Sequence, residues 1–348
     1  HSLAWAGRVR SADPERLVHF GRERVPIARL VATLERFRAL LAEDLPPAAL
    51  DAAIRREFRV FRSTGNGEGE VLVTGYYLPE LRGALERGGP YQTPLYRSPD
   101  DVVVARAKDF PQLDQDLVGR VEEGRFVPYA TRAQIARGAL DGKGAELLWV
   151  DSPVDAFFLE IQGSGIVRLE DGSSRVVTYG GRNGHRYAAI GNELVRRGAV
   201  TREALSMQSI RAWLAAHPAE TEEVFATNPS YVFFRMAEAA TGSLGVPVTQ
   251  SRTIATDGKV FPKGALAFLE TERPVEKGAA PDPENPPFRK FGRFVLDQDS
   301  GGAIKTAARV DLFFGSGEYA AYAAGRMKQP GRLYYLLLRD PGDTLARR

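Results

Sequence analysis

The sequence lacks cysteine, and this absence excludes disulfide bonds, thiolate metal sites and a cysteine nucleophile. Histidine is scarce too, with four residues in the sequence. These four positions are scattered and do not form the cluster that a histidine-rich zinc site requires. Long apolar runs are missing as well, and no stretch approaches the roughly 18 consecutive apolar residues of a membrane-spanning helix. The chain begins at His1 rather than Met, which is compatible with loss of an N-terminal signal peptide or lipid anchor.

The composition indicates a soluble globular protein, with 43% apolar and 26% charged residues. Its 348 residues are enough for two domains. The formal net charge is only +3 and the charges are well mixed, so the sequence does not predict nucleic-acid binding. A mild positive excess favours an anionic polymer as partner, although an ordinary solvated surface explains the same charge balance.

The N-terminal part of the chain has a helical pattern. Apolar residues recur there at three- and four-residue spacing, at Ile27, Leu30, Leu34, Phe37 and Leu41. They predict one amphipathic helix. A second helix is predicted to begin at the pair Pro46 and Pro47, because proline suits the first turn, and to end near Phe58.

Beyond about residue 70 the pattern changes to short strands broken by Gly, Asp and Ser. Strands are predicted at 71–77, 147–150, 156–161, 165–169, 175–179, 265–271, 293–299, 309–315 and 332–339. Helices are predicted at 131–140, 185–197 and 206–216, and the Pro- and Glu-rich segment 273–287 is predicted to be an exposed loop. The sequence therefore predicts an α+β fold with a small β domain in its middle, and a groove between two bodies as the ligand site.

Three aspartates in the last third of the chain are candidates for acid–base chemistry: Asp257, Asp299 and Asp311. Asp311 has the most informative context, because it interrupts an apolar strand. Alternation places Val310, Leu312 and Phe314 on one face of that strand and leaves Asp311 with Phe313 on the other. A carboxyl group in apolar surroundings has a raised pKa and can act as an acid near neutral pH.

Other interpretations of these aspartates stay open. An aspartate at a strand end often accepts hydrogen bonds from backbone N–H groups, and Gly301 with Gly302 is also typical of a plain tight turn. The three carboxylates could instead bind Ca²⁺ or Mg²⁺, but they are too widely spaced for one compact cation-binding loop. We therefore expect neither a metal ion nor an organic cofactor.

Several short motifs occur in order along the chain. They are Thr74-Gly75-Tyr76-Tyr77, Tyr91-Gln92-Thr93-Pro94-Leu95-Tyr96, Gln162-Gly163-Ser164-Gly165, Tyr179-Gly180-Gly181-Arg182-Asn183-Gly184-His185, Ser206-Met207-Gln208, Asn228-Pro229-Ser230-Tyr231-Val232-Phe233-Phe234, and Asp299-Ser300-Gly301-Gly302-Ala303-Ile304-Lys305 followed by Val310-Asp311. With these motifs the chain resembles the membrane-bound lytic murein transglycosylase A family from about Val71 to Leu338. Each motif alone is a weak signal, and their number and order distinguish the match from chance.

The resemblance implies a mainly β fold of the α+β class. A double-psi β-barrel domain with N-terminal helices is expected from residues 1–98 and 178–348, including a three-aspartate region at 250–340. A second, β-barrel-like domain is expected to be inserted at 99–177. The resemblance also implies a deep groove between the two domains that holds the glycan.

The resemblance implies a lytic transglycosylase that cuts the β-1,4 bond between N-acetylmuramic acid and N-acetylglucosamine and leaves 1,6-anhydromuramyl ends. Asp311 matches the family's catalytic acid, which acts first as acid and then as base, and Asp299 and Asp257 are its expected supporting residues. The implied partner is peptidoglycan, acted on by a monomer without cofactor. The implied location is the periplasm or cell envelope of a Gram-negative bacterium, with a lipid anchor to the outer membrane lying outside this sequence.

The remaining motif residues are predicted to bind substrate. The predicted set comprises Gly75, Tyr76, Tyr77, Tyr96, Gln162, Gly163, Ser164, Asn183, Gln208, Tyr231, Gly301, Gly302 and Lys305. The amide and hydroxyl side chains suit sugar hydroxyl and acetamido groups, the tyrosines suit sugar faces, and the lysine suits a carboxylate. Core burial is the alternative for the tyrosines, and special backbone angles are the alternative for the glycines.

Two other functions stay open at the level of the sequence. One is an expansin-like module that grips the wall glycan without cutting it. The other is a glycan hydrolase in which Asp257 or Asp299 supplies the second carboxylate that such enzymes generally need.

Overall fold

The computed structural model describes residues 1–110, 112–275, 287–302 and 304–340. Residues 276–286, most of the loop predicted at 273–287, lie outside the described residues. The chain divides into two compact units. The split unit contains His1–Tyr76 and the chain from Thr241 onward, and the inserted unit is Tyr77–Ala240.

The boundaries of these units differ from the predicted ones. We predicted an insert at 99–177, whereas residues 77–98 and 178–240 also belong to the inserted unit. The physical reason is hydrogen bonding, because strands on both sides of the predicted insert pair into the same sheet as strands within it.

The N-terminal segment forms the helices that the apolar spacing predicts. Its elements are α1 (Ser2–Ala12), β1 (Leu17–Phe20), β2 (Glu23–Pro26), α2 (Ile27–Ala42), α3 (Pro47–Glu57), β3 (Phe58–Arg62) and β4 (Val71–Leu78). Helix α2 buries Ile27, Leu30, Leu34 and Phe37 on one face, so the amphipathic pattern is confirmed for these four residues. The prediction for Leu41 is wrong, because Leu41 is 53% exposed and Leu40 is buried in its place. Helix α3 begins at Pro47. Proline has no N–H group, and the first residue of a helix donates no hydrogen bond within the helix, so no bond is lost there.

The inserted unit is built on a six-stranded sheet. Its elements are β5 (Glu80–Ala84), β6 (Thr93–Tyr96), β7 (Val103–Ala105), β8 (Leu117–Glu122), β9 (Arg125–Pro128), α4 (Arg132–Ala136), β10 (Glu146–Val150), α5 (Pro153–Gln162), β11 (Ser164–Leu169), β12 (Ser174–Arg182), α6 (Ile190–Arg196), α7 (Met207–Ala216), α8 (Thr221–Ala226) and β13 (Val232–Ala237). The strand order is β13-β12-β11-β5-β10-β6. A parallel bridge between Arg97 and Phe234 joins the two edges, so the sheet curls towards a barrel, and β7, β8 and β9 form a separate small sheet.

One predicted strand is wrong, because residues 156–161 belong to helix α5. Ser152 caps this helix by accepting a hydrogen bond from the Asp155 N–H, Pro153 occupies its first turn, and Gly163 ends it at φ +78°. The apolar run buries Phe157 and Leu159. A short apolar run fits a buried helix as well as a strand, and the capping residues on either side decide the outcome here.

Two predicted helices are shorter than expected. Helix α4 ends before Gly138, because the Gly138 φ of +91° is incompatible with a right-handed helix. Helix α6 begins only at Ile190. The segment ahead of it is held in a loop conformation, because the Ala188 N–H donates to Asn228 Oδ1 at 3.0 Å and Gly184 lies tightly against Val118.

The C-terminal segment completes a barrel with one N-terminal strand. Its elements are β14 (Thr253–Ala255), β15 (Leu266–Pro274), β16 (Phe288–Asp299), β17 (Arg309–Ser316), α9 (Glu318–Arg326) and β18 (Lys328–Leu338). The strand order is β15-β16-β14-β17-β4-β18-β3, and β15 also pairs with β18. Six strands therefore close into a barrel to which β3 is appended, and both ends of the chain contribute to it. The predicted α+β class is confirmed.

The barrel core consists of aliphatic side chains that point inward from alternate strand positions. Its fully buried members include Val73, Leu269, Val295, Val310, Leu312 and Leu333. Within the part of the chain that the structure describes, no helix has both the length and the apolar character needed to cross a bilayer.

Candidate active site

Strand pairing places Asp299 and Asp311 at the same level of the barrel wall. Ala255 on the short central strand β14 pairs with Asp299 of β16 on one side and with Asp311 of β17 on the other. Strand β4 lies on the far side of β17. The two acids are thus separated by one intervening strand, at a point where β14 ends and its side chains are short.

Asp311 is held by two polar neighbours and is almost covered. Its side chain is 13% exposed. Thr74 Oγ1 on β4 donates a hydrogen bond to Asp311 Oδ1, and Arg309 Nε lies 3.3 Å from the same oxygen. Burial raises the pKa of Asp311, and the Arg309 charge and the Thr74 hydrogen bond offset only part of that rise. The environment therefore favours a protonated carboxyl group at higher pH than for an exposed aspartate.

Asp299 holds three chain segments together. Its Oδ1 accepts hydrogen bonds from the backbone N–H groups of Ser243 and Ser300, both at 2.8 Å. Its Oδ2 accepts the Tyr76 hydroxyl at 3.0 Å. Burial raises the pKa of Asp299, while these three donors lower it in part. Because every donor comes from the protein, the geometry assigns Asp299 a supporting role in fixing Tyr76 and the following turn.

Asp257 caps a turn as an ionised group. Its two oxygens accept the backbone N–H groups of Lys259 at 3.0 Å and Thr306 at 2.9 Å. Burial acts to raise the pKa of Asp257, but these hydrogen bonds and the nearby lysine charges outweigh it and leave the pKa below its ordinary value. A group that stays ionised here cannot serve as the acid.

The sequence analysis missed a fourth aspartate, Asp297. It is fully buried, and its Oδ1 pairs with Lys263 Nζ at 2.7 Å. Its Oδ2 accepts hydroxyl groups from Thr256 and Tyr335, each at 2.6 Å. The same lysine donates to the Asp299 carbonyl oxygen at 2.7 Å, so the pair braces the strand end that carries Asp299. The available signal was a carboxyl group that follows the apolar residues Val295 and Leu296 in β16, because a register shift between Asp297 and Asp299 prevents their spacing of two from placing both on one face.

Several predicted binding residues of the split unit shape the backbone instead of presenting a side chain. Gly75 sits against the Phe314 ring and the Ala324 backbone, and a Cβ there would approach within 2.7 Å of the ring. Gly301 accepts the Ile304 N–H at 3.0 Å in a tight turn. Gly302 and Lys305 are exposed. The Tyr76 ring packs with its centroid 5.1 Å from that of Phe313, and its hydroxyl donates to Asp299.

In the inserted unit, the Gln162 motif joins the end of β4 to helix α5. Gln162 Oε1 accepts the Tyr77 backbone N–H at 3.1 Å. Gly163 is the left-handed residue that ends the helix. The Ser164 hydroxyl is buried and bonds Thr178 Oγ1 at 2.8 Å. Of this predicted group, only Gln162 keeps a side-chain donor without a partner among the residues that the structure describes.

Asn183 and the remaining tyrosines lie in the interior of the inserted unit. Asn183 Nδ2 donates to the carbonyl oxygens of Ala130 and Pro229, and its Oδ1 accepts the Tyr231 N–H. The rings of Tyr96 and Tyr231 lie 6.3 Å apart, within a core cluster. These contacts favour a role in stabilising the fold.

Gln208 has a different environment. It lies in the first turn of α7, and its Oε1 is buried without a hydrogen-bond partner among the described residues. A buried amide oxygen that lacks a partner costs about 1–3 kcal/mol, so a ligand group that donates to it gains by binding. Gln208 therefore stays a candidate for substrate binding. No group of three or more His, Asp or Glu side chains within the described ranges is arranged to hold a metal ion.

Comparisons with known proteins agree with this division of the chain. Residues 72–235 match the MltA specific insert domain, and residues 252–337 match the 3D domain. The first match covers most of the inserted unit, and the second spans β14 to β18 apart from Leu338. The chain is 29% identical to membrane-bound lytic murein transglycosylase A of Vibrio cholerae, across 98% of this chain and 87% of that protein.

Solved structures give the same result. The chain is similar to a membrane-bound lytic murein transglycosylase from Agrobacterium tumefaciens, with a TM-score of 0.78, 30% identity and coverage of 97% of this chain and 91% of that one. It is also similar to Escherichia coli MltA with bound chitohexaose, with a TM-score of 0.72, 27% identity and coverage of 97% and 89%.

Proposed function

Because the chain belongs to the lytic murein transglycosylase A family, we propose that it cleaves the glycan strands of peptidoglycan as a lytic transglycosylase. The bond cut is the β-1,4 bond between N-acetylmuramic acid and N-acetylglucosamine. The names of its relatives and the chitohexaose bound to one of them support a glycan substrate and a lyase reaction.

We assign the chemistry to Asp311, acting alone. Its protonated carboxyl group donates a proton to the glycosidic oxygen as the bond from that oxygen to C1 breaks. The resulting carboxylate then accepts the proton of the C6 hydroxyl of the same muramyl residue, whose oxygen bonds to C1. A 1,6-anhydro ring is the product. Because the nucleophile belongs to the substrate, no second carboxylate is required, and the attack has the advantage of an intramolecular reaction.

One observation carries this assignment: Asp311 combines a raised pKa with a carboxyl oxygen, Oδ2, that has no hydrogen-bond partner among the described residues. Asp299 is occupied by protein donors, Asp297 is sealed in an ion pair, and both oxygens of Asp257 accept backbone N–H groups. This argues against a two-carboxylate hydrolase. A module that only binds glycan has no need of a carboxyl group whose pKa is raised by burial, which argues against the expansin-like alternative.

The two units have separate tasks in this proposal. The split unit, with the three-aspartate region at 250–340, supplies the acid. The inserted unit contributes glycan contacts through Gln162 and Gln208. The relatives are membrane-bound murein enzymes, and we place the protein in the Gram-negative envelope, facing the periplasm as a monomer attached to the outer membrane.

The test is Asp311→Asn, assayed on purified peptidoglycan with mass spectrometry of the products. We expect wild type to release 1,6-anhydromuropeptides and the variant to be at least about 100-fold slower, because the amide keeps the shape but cannot cycle a proton. Binding of the variant to insoluble peptidoglycan should persist. Reducing ends instead of anhydro ends would identify a hydrolase, and an active variant would remove Asp311 from the chemistry.

A further inference from the structure

The two oxygens of Asp311 are not equivalent. Thr74 Oγ1 and Arg309 Nε both address Oδ1, the arginine at 3.3 Å. The same Arg309 Nε also lies 3.4 Å from Thr74 Oγ1, so the three groups form a closed triangle. Oδ2 has no hydrogen-bond partner among the described residues. Oδ2 is not fully enclosed, so it contributes to the 13% of the Asp311 side chain that is exposed.

Donor chemistry fixes the direction of these bonds. An arginine only donates, so the Thr74 oxygen accepts from Arg309 and its own hydrogen is left to point at Asp311 Oδ1. A proton on Oδ1 would require Thr74 to give up the hydrogen bond that it donates to Asp311 and to turn its hydrogen away. When Oδ1 accepts the hydrogen bonds from Thr74 and Arg309, the acid proton is carried by Oδ2.

We propose that Thr74 and Arg309 are positioning residues that reserve Asp311 Oδ1 as a permanent acceptor, so that Oδ2 carries the proton of the reaction. The proposal rests on the function proposed above. Oδ2 gives its proton to the glycosidic oxygen as the C1–O4 bond breaks. It then takes the proton from the C6 hydroxyl as the C1–O6 bond forms, while Oδ1 keeps both of its donors throughout.

Arg309 has a second effect that opposes the first step. Its charge lowers the pKa of Asp311 and limits the rise that burial causes. The other groups near Asp311 are few. Strand β14 presents only Ala255, and β4 presents Tyr76, whose hydroxyl bonds Asp299 of β16. Helix α9, with Glu318, Tyr319, Tyr322 and Arg326, packs on the Phe314 side of β17, the opposite face from Asp311.

The first test is the pH dependence of kcat/KM for Arg309→Gln and Arg309→Lys. The active form is protonated, so kcat/KM falls as pH rises through the pKa of Asp311. Removing the charge raises that pKa, and we expect the fall in Arg309→Gln to move to higher pH. Arg309→Lys keeps the charge and should stay near the wild-type profile. Arg289→Gln, an exposed charge change on β16 of the same unit, is the matched control and should not shift the profile.

The second test compares Thr74→Val with Thr74→Ser. Valine keeps the shape without the donor, and we expect kcat to fall roughly 10–100-fold with little change in KM, since the acid loses its fixed orientation. Serine restores the donor and should recover most of the activity. Thermal denaturation confirms that each variant is folded.

The outcomes separate this proposal from the one it rests on. An active Asp311→Asn enzyme overturns both. An inactive Asp311→Asn, together with an unshifted profile in Arg309→Gln or equal losses in Thr74→Val and Thr74→Ser, overturns only the assignment of the proton to Oδ2. A shift in Arg309→Gln with rescue by lysine, and rescue of Thr74 by serine, supports it.

Discussion

The aspartates of the split unit illustrate how environment divides the roles of one residue type. Burial raises the pKa of Asp297, Asp299 and Asp311, whereas backbone donors and lysine charges hold the pKa of Asp257 low. Among these four aspartates, only Asp311 combines a raised pKa with an oxygen that no donor from the described residues occupies. Chemistry at a single residue therefore depends on the donors that are absent as much as on those present.

Because its pKa is raised, Asp311 lowers the stability of the fold at neutral pH. The folded state retains the proton at a pH where the unfolded chain has lost it. The stability that the folded state gains by retaining this proton is complete below the pKa of Asp311 in the unfolded chain. It is lost as pH rises through the pKa of Asp311 in the folded protein. Asp311→Asn should therefore be more stable than wild type at neutral pH, by about 0.5–2 kcal/mol, with the difference shrinking in acid.

Thermal or urea denaturation of wild type and variant across a pH series measures this effect. Asp257→Asn is the opposite control, because a carboxylate with a lowered pKa stabilises the fold above its unfolded pKa and loses that contribution in acid. It should lose stability at neutral pH while keeping its activity per folded molecule. Equal stability of Asp311→Asn and wild type at neutral pH would contradict the raised pKa.

At the scale of the element, helix α5 ends within the motif that contains Gln162. Its capping residues place Gln162 in the last turn, where Oε1 is bound to the Tyr77 backbone and Nε2 is left to donate. The main-chain contact orients the amide. A fixed donor loses little conformational freedom when it binds a sugar oxygen.

Replacing Gln162 should therefore weaken glycan turnover without abolishing it. A neutral hydrogen bond contributes about 0.5–1.5 kcal/mol, so Gln162→Ala should lower turnover about 2–13-fold. Gln162→Glu keeps the acceptor for Tyr77 but removes the donor. If the glutamate variant is fully active, Gln162 acts only through the main chain. If the alanine variant is as inactive as Asp311→Asn, Gln162 takes part in the chemistry.

At the scale of the whole molecule, the proposed acid belongs to the split unit. All four aspartates discussed here, together with Thr74 and Arg309, lie in the split unit, although they are far apart in sequence. Barrel closure brings them together, since Thr74 and Asp311 are 237 positions apart. In the proposed mechanism one carboxyl group serves as both acid and base, and the donors around these acids among the described residues include hydroxyl, amide and guanidinium groups.

The reaction should therefore need no added metal ion. We expect peptidoglycan cleavage to continue at its normal rate after dialysis against a chelator, because the proposed chemistry uses only Asp311 and the substrate's own hydroxyl. Release of anhydromuropeptides before and after treatment is the measurement. A loss of activity that Ca²⁺, Mg²⁺ or Zn²⁺ restores would contradict a metal-free mechanism.

The order of the motifs and the local patterns were sufficient for much of this description. The helix at Ile27–Ala42, the strand that carries Asp311 and the α+β class follow from spacing and alternation, which act between near neighbours. The sequence also predicted a raised pKa for Asp311 from a carboxyl group set in an apolar strand, although the burial that raises it requires the folded barrel. The helix, the strand and the fold class depend on local patterns, so the sequence alone determined them.

Tertiary structure decided the rest. The extent of the inserted unit depends on which strands pair. The Asp297–Lys263 pair and the contacts of Thr74 and Arg309 with Asp311 Oδ1 come from strands that meet only when the barrel closes. Sequence periodicity does not give the distance between strands that are remote in the chain. The hydrogen bonds to an acid depend on distances that differ by tenths of an ångström.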